Sequence, residues 1–204
     1  MNEIPKTPGE SRGFVLAASG ANYVPLAVHA ARYMREVMPD VNIDLFTDHP
    51  PDEPGLFSQV HQLERTWFRP KFEALSRSRY DRTIYLDTDI VVLTDVREMF
   101  DLLDRFDLIA AHSTRRASPT SNQLLHSQLS TAFPQLNGGL IGIRRTAETV
   151  AMVDRIVSMI DTHKLHRDQI AFREAVWDSS LQVWVMPPEY NLMSFRQVDR
   201  WGPN

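Results

Sequence analysis

Two carboxylates break an otherwise apolar run in Arg82-Thr83-Ile84-Tyr85-Leu86-Asp87-Thr88-Asp89-Ile90-Val91-Val92. Ile84, Tyr85 and Leu86, then Ile90, Val91 and Val92, have the continuous apolar, β-branched character of a strand covered on both faces. A carboxylate inside such a strand costs several kcal/mol unless a partner neutralises it. Two of them, one residue apart, make a shared partner the economical solution. Hard oxygen ligands suit Mg²⁺ or Mn²⁺, and such ions bridge to phosphates. The structural alternative is a strand end whose acids cap the next turn. Metal–phosphate chemistry at Asp87 and Asp89 explains the pattern better.

The rest of the chain narrows the setting. Its 204 residues suffice for one substantial domain with a single core, expected over residues 13–204 after a flexible N-terminus at 1–12. A net charge of −4 and the lack of a basic stripe with interleaved aromatics argue against a nucleic-acid partner. With no cysteine there are no disulfides and no thiolate metal site, which fits a reducing compartment. Residues 1–13 lack the apolar segment of a signal peptide, and no run approaches the roughly 20 residues of a membrane span. The expectation is a soluble cytoplasmic protein, with peripheral membrane contact left open.

Strand and helix patterns alternate. Strands are expected at 14–18, 41–46, near 59–63, through the carboxylate run, and at 107–111, 136–143 and 181–185. Helices are expected at 23–38, 71–79, 146–162 and 167–176. Leu26, Ala30, Tyr33, Met34 and Val37 give the first helix its period, and Pro25 is tolerated in its first turn. Asp95-Val96-Arg97-Glu98 reads as a capping box for a further helix with Val96, Met99, Phe100 and Leu103 inward. This order predicts a single α/β domain, a mostly parallel central sheet flanked by helices.

In open α/β sheets ligands bind beyond the carboxyl ends of the strands. Asn22-Tyr23, Thr47-Asp48 and Asp87-Thr88-Asp89 all fall at such expected ends, and the expectation is that they converge on one crevice. Asn22 also has the alternative role of a helix N-cap.

Tyr85-Leu86-Asp87-Thr88-Asp89-Ile90 resembles the Asp-x-Asp strand of GT-A fold glycosyltransferases of the glycogenin and bacterial galactosyltransferase kind. The resemblance runs from Phe14 to Asn191. The segment from Phe14 to Asn22 resembles the nucleotide-binding first strand. Lys71, with Phe72 and Leu75, looks like the family's lysine-bearing helix. Leu136-Asn137-Gly138-Gly139-Leu140 is similar to its Asn-x-Gly acceptor-side segment, Arg167-Asp168-Gln169 to its Asp-Gln pair, and Pro188-Glu189-Tyr190-Asn191 to its Pro-x-x-Tyr-Asn turn.

The resemblance implies a GT-A-like glycosyltransferase, a hexosyltransferase, moving sugar from a nucleotide-diphosphate donor to a saccharide, lipid-linked or protein acceptor. The implied donor is a UDP-sugar, with uracil near residues 17–23 and Thr47-Asp48. Implied donor-binding residues are Ala17, Ala18, Asn22, Tyr23, Asp48, Lys71, Asp87, Thr88, Asp89, Asn137, Gly138 and Gly139. Asp168 and Gln169 are implied to be catalytic, and Asp87 and Asp89 to hold Mn²⁺ or Mg²⁺. The chemistry is consistent, because a cation between carboxylates and phosphates stabilises a departing nucleotide as a Lewis acid. Lys71 adds a point charge for donor oxygens, its alternative being an exposed helix lysine. Gly138-Gly139 lets backbone approach a sugar, or marks a bulge. Asp168 is alternatively a charge at a helix N-terminus.

Related enzymes take a third metal ligand, a histidine, after the Tyr-Asn turn; here the last histidine is His166, and His163 and His166 read as exposed helix-end residues. Two other functions fit less well. A haloacid-dehalogenase-like phosphatase would use Asp87 as nucleophile, but carries its motif on the first strand with a downstream lysine and acidic pair. A non-catalytic or partner-dependent sugar-nucleotide binder accommodates the missing ligand. Finally, residues 113–130 are long and polar, with Arg115, Arg116, Leu124, Leu125 and Leu129. They are expected to form a lid beside the donor sugar.

Overall fold

Side-chain alternation along the first strand sets up the whole molecule. In β1, Arg12–Ala18, Phe14, Leu16 and Ala18 enter one core cluster while Val15 and Ala17 enter another, so both faces of the strand are buried. The same division holds in β2 (Ile43–Thr47) and β4 (Arg82–Leu86). A strand apolar on both faces must lie inside a sheet with helices on either side. The computed structural model describes residues 12–65, 69–113, 123–126, 128–130, 132–133 and 135–193.

Seven strands form one sheet in the order β3-β2-β1-β4-β6-β5-β7, with β3 at Gln59–Gln62, β5 at Leu108–His112, β6 at Leu136–Arg144 and β7 at Val183–Met186. All pairings are parallel except those of β6, which runs antiparallel to both β4 and β5. The expected mostly parallel sheet flanked by helices is what forms. Helices α1 (Val24–Val37) and α3 (Met99–Leu102) cover the Phe14/Leu16 face; α2 (Lys71–Arg77), α4 (Ala147–His163) and α5 (Asp168–Trp177) cover the Val15 face. Helix α4 begins with a reciprocal Thr146–Thr149 cap and ends at Lys164 in the left-handed conformation. Among the described residues no helix is long and apolar enough to cross a membrane.

Two local readings are corrected. The carboxylate strand stops at Leu86, not Val92: Asp87 leaves the sheet, Thr88 and Asp89 turn, and Val91 and Leu93 are exposed. The expected capping box at Asp95 does not form. Asp95 accepts from the Arg97 backbone and pairs with its guanidinium, and α3 starts later, at Met99, with Glu98 as an N-cap that makes no side-chain bond. Asp95 caps a tight local turn instead, since short acidic side chains serve turns and helix starts alike.

Behind the sheet a buried polar knot constrains β1. Asp44 accepts from Arg79 and from the Tyr80 hydroxyl (2.7 Å), and His61 approaches it at 3.0 Å. The Tyr80 ring lies against Gly13, where a Cβ would stand 2.3 Å from ring carbons. The ring cannot retreat without breaking its bonds to Asp44 and Arg79. Gly13→Ala is therefore expected to lower stability by about 1–3 kcal/mol through overpacking. A lowered urea midpoint at unchanged slope checks this; an unchanged midpoint would show the knot yields freely.

Residues 1–11 and most of the expected lid (114–122 and 127, with Arg115 and Arg116) lie outside the described residues. What is described of the lid segment rests on α5. The Leu125 and His126 backbone N–H groups donate to buried Glu174, and Arg173 donates to the Ser130 carbonyl at 3.3 Å.

Candidate active site

Three parallel strands, β1, β2 and β4, end on the same edge of the sheet, and β6 supplies the fourth wall because it is antiparallel. Leu86 at the end of β4 pairs with Leu140, midway along β6, and the Asp87 backbone N–H donates to the Gly139 carbonyl at 2.8 Å, so the first half of β6 runs beside and past the end of β4. Only a strand running against β4 can bring its first residues to that strand's last. A cleft of about 510 Å³ opens there, lined among others by Ala17, Ser19, Tyr23, Arg69, Lys71, Tyr85, Asp87, Thr88 and Asp89.

Lys71 is the electrostatic centre. It is buried at the start of α2, so the reading as an exposed helix lysine is overturned. Its Nζ donates to the Gly138 carbonyl at 2.8 Å and lies 3.2 Å from Asp87 Oδ1 and 3.4 Å from Asp168 Oδ2. Tyr85 donates its hydroxyl to the same Asp87 oxygen at 2.7 Å. Burial, then Asp87, Asp168 and Asp89, push the Tyr85 phenol well above its ordinary range, so it stays a donor. One ammonium thus faces two carboxylates within 3.4 Å, and exposed Asp89 adds a third at the cleft.

That imbalance fits a divalent cation. Asp87 and Asp89 offer hard oxygen ligands into an open cleft, and among the described residues no group of three or more His, Cys, Asp or Glu side chains stands together to hold one. Phosphate oxygens would have to supply much of the coordination. His163 and His166 are exposed at the end of α4 and beyond, as read from the sequence.

The other candidates divide. Asp168 is the first residue of α5, almost fully buried, its Oδ2 lacking any hydrogen bond beyond the Lys71 pair among the described residues. Gln169 and Lys71 both flank Gly138: a Cβ there would sit 3.0 Å from Lys71 Nζ and 3.8 Å from Gln169 Cγ. Asn137 turns its Oδ1 back to the Gly139 N–H at 2.8 Å. Asp87, Asn137, Gly138, Gly139, Asp168 and Gln169 are thus brought together around Lys71.

On the β1 side, Ala17 lines the cleft, but the side chain of Ala18 packs in the core on the opposite face, as strand alternation requires. Tyr23 is half-exposed beside the cleft. Asn22 is exposed and does not cap α1; the N-cap is Tyr23, without a side-chain bond. Asp48 accepts from the Gly20 N–H at 2.8 Å, from Ser19 at 3.3 Å and pairs with His49 at 2.8 Å. It fastens a turn in which Gly20 has φ of 89°, a conformation favouring glycine. Burial raises the Asp48 carboxyl, but the bonds from His49 and Gly20 outweigh it and hold the group below its ordinary range.

Sequence reasoning missed Ser19, Arg69 and the hydroxyl of Tyr85. Tyr85 reads as one more apolar strand residue, and nothing in the pattern marks its hydroxyl as the support of Asp87.

Comparison with known proteins bears on the fold and the family. No curated protein sequence matches the chain. Among solved structures, the glycosyltransferase GlyE of Streptococcus pneumoniae TIGR4 superposes with a TM-score of 0.67 at 18% identity, over 90% of this chain and 47% of that one. The galactosyltransferase LgtC, in complex with donor and acceptor sugar analogs, gives 0.65 at 14% identity over 93% and 78%. The bifunctional glycosyltransferase WbbM gives 0.63 at 13% identity over 92% and 40%. The chain therefore spans about half of GlyE and less of WbbM, and these likenesses concern the fold. The sequence pattern of the nucleotide-diphospho-sugar transferases matches residues 28–203, and the chain belongs to that family.

Proposed function

We propose that the protein transfers a sugar from a UDP-sugar to an acceptor nucleophile, with Mn²⁺ or Mg²⁺ held by Asp87 and Asp89 against the donor's diphosphate. The observation that carries this reading is the cluster at the end of β4. Asp87, supported by Tyr85, faces the cleft beside a buried lysine that also reaches Asp168 and the Gly138 carbonyl. Family membership supports the nucleotide-sugar donor; the strand-end position of residues 17–23 and Asp48 supports a base site there.

Each side chain has a defined task in this scheme. The cation, when bound, offsets the charge that develops on the leaving diphosphate. Tyr85 and Lys71 fix the Asp87 carboxylate in one orientation, so no reorganisation is needed as charge moves. Lys71 also places positive charge near the bond that breaks. Asp168 and Gln169, at the start of α5, hydrogen-bond the sugar and hold its reacting carbon in place. LgtC offers a parallel, since one of its structures is of an active-site mutant in which glutamine becomes glutamate.

A panel of nucleotide sugars screened with Mn²⁺ tests the reading. Thermal shift should rank UDP above GDP, CDP and ADP, and UDP-sugar hydrolysis should require the cation. A preference for another base would replace uracil and leave the reaction type intact. The absence of cation-dependent binding or turnover with every nucleotide sugar would overturn the reading.

A further inference from the structure

Among the described residues two basic side chains line the cleft, Lys71 and Arg69, and they have different fates. Lys71 is buried and held by Asp87, Asp168 and the Gly138 carbonyl. Arg69 is only half-buried. Pro70 between them accounts for the split. A residue before proline is kept out of the helical region, so Arg69 stays in the lead to α2, while Lys71 is the first residue of the helix and turns inward.

Arg69 is held in place from the other side of the cleft. Its Nε and Nη2 both donate to the His166 carbonyl, at 3.3 and 3.0 Å. His166 lies two residues before Asp168, so this contact joins the leads of α2 and α5, whose first residues meet as the Lys71–Asp168 pair. A carbonyl orients a guanidinium without cancelling its charge. With five N–H donors in a planar fork, one arginine can serve a protein carbonyl and a phosphate together.

Charge balance indicates what such a guanidinium meets. Asp87 and Asp168 face Lys71, and Asp89 adds a third carboxylate at the cleft. Lys71 and one divalent cation together offset these three. The charge of a nucleoside diphosphate is then left over, and Arg69 is the other basic group of the described lining. We propose that Arg69 is a further donor-binding residue, whose guanidinium contacts the β-phosphate of the donor and stabilises it as the sugar leaves. This rests on the nucleotide-sugar reading above. The β-phosphate is chosen because it is the one bonded to the sugar. Arg69 is tied to the lead of α5, which carries Asp168 and Gln169, whereas the base is assigned to the β1 side at residues 17–23.

Calorimetry on the full chain with Mn²⁺ tests this, using uridine, UMP and UDP as probes and Arg69→Gln and Arg69→Lys as variants. Arg69→Gln should raise the UDP Kd about tenfold, the loss of one charged hydrogen bond, and leave uridine and UMP within about twofold of wild type. Arg69→Lys keeps the charge without the fork and should lose part of the UDP affinity. Added salt should weaken UDP binding less in Arg69→Gln than in wild type, because one ionic contact is gone. If Arg69→Gln does not fold, Arg69→Lys carries the same comparison between probes. If another base ranks first in the panel above, its nucleoside, monophosphate and diphosphate replace the uridine series. Unchanged UDP affinity would overturn the assignment. Equal losses for all three probes would also overturn it and make Arg69 a support of the cleft through His166. Equal losses for UMP and UDP would overturn it in favour of the α-phosphate. A wild-type protein that binds no nucleoside diphosphate of any base would remove the nucleotide-sugar reading itself, and this proposal with it.

Discussion

Asp87→Ala is expected to lower sugar transfer by about a thousandfold, at the upper end of what one preorganised electrostatic group contributes. Asp87 is where the separate parts of the site meet. Tyr85 and Lys71 hold one of its oxygens, and the other lies close to Gly139. If Asp87 and Asp89 hold the cation, removing Asp87 also removes half of the protein's ligand set. Calorimetry of UDP binding with and without Mn²⁺ then gives a signature beyond activity. Wild type should bind UDP more tightly with Mn²⁺, and Asp87→Ala should bind it equally with and without. Folding should survive, because Lys71 keeps Asp168 and the Gly138 carbonyl as partners. A variant whose UDP affinity still rises with Mn²⁺ as in wild type would refute the metal assignment.

Lys71→Met is expected to destabilise the fold itself by about 3–5 kcal/mol, the range for breaking a buried ion pair from one side. The side chains of Lys71 and Asp168 are 7% and 6% exposed, so solvent cannot replace the lost partner. Asp168 would keep a buried carboxylate whose Oδ2 has no other hydrogen bond among the described residues. Methionine fills most of the volume, so the loss measures charge and hydrogen bonding more than a cavity. Urea unfolding of wild type, Lys71→Met and Lys71→Arg provides the comparison. Arginine keeps the charge but not the point geometry, and should recover part of the loss. A methionine variant within about 1 kcal/mol of wild type would mean that the pair is worth no more than an exposed one.

Much of the fold is legible in the chain itself. The strand at 14–18, the first helix, the Asp-Thr-Asp strand and the two late helices each carry a local signal, apolar runs or helical spacing, that their surroundings reinforce. The errors fall where local signals compete. Ile90, Val91 and Val92 look like strand, yet Asp87 and Asp89 need solvent or a cation more than those residues need the sheet, and the chain turns out at Asp87. Asp95 has the composition of a helix cap, but Arg97 two residues on claims it first. Ala17 and Ala18 read as equivalent neighbours, and one pleat separates cleft from core.

The site was legible as a set of residues but not as an arrangement. By itself the sequence determined which candidate groups the chain supplies: two carboxylates at a strand end, a lysine-bearing helix, a glycine pair and an Asp-Gln helix start. These are local choices of residue type, and their costs are paid or avoided within a few positions. What decided their meeting was the antiparallel insertion of β6 between β4 and β5, which lays Gly138 and Gly139 beside Asp87 and under Lys71, a residue 67 positions earlier in the chain. Strand direction and order depend on how two faces of apolar side chains are covered across the whole sheet, a balance that no local window contains. Tertiary structure alone therefore decided that Lys71 is buried and that Tyr85 supports Asp87.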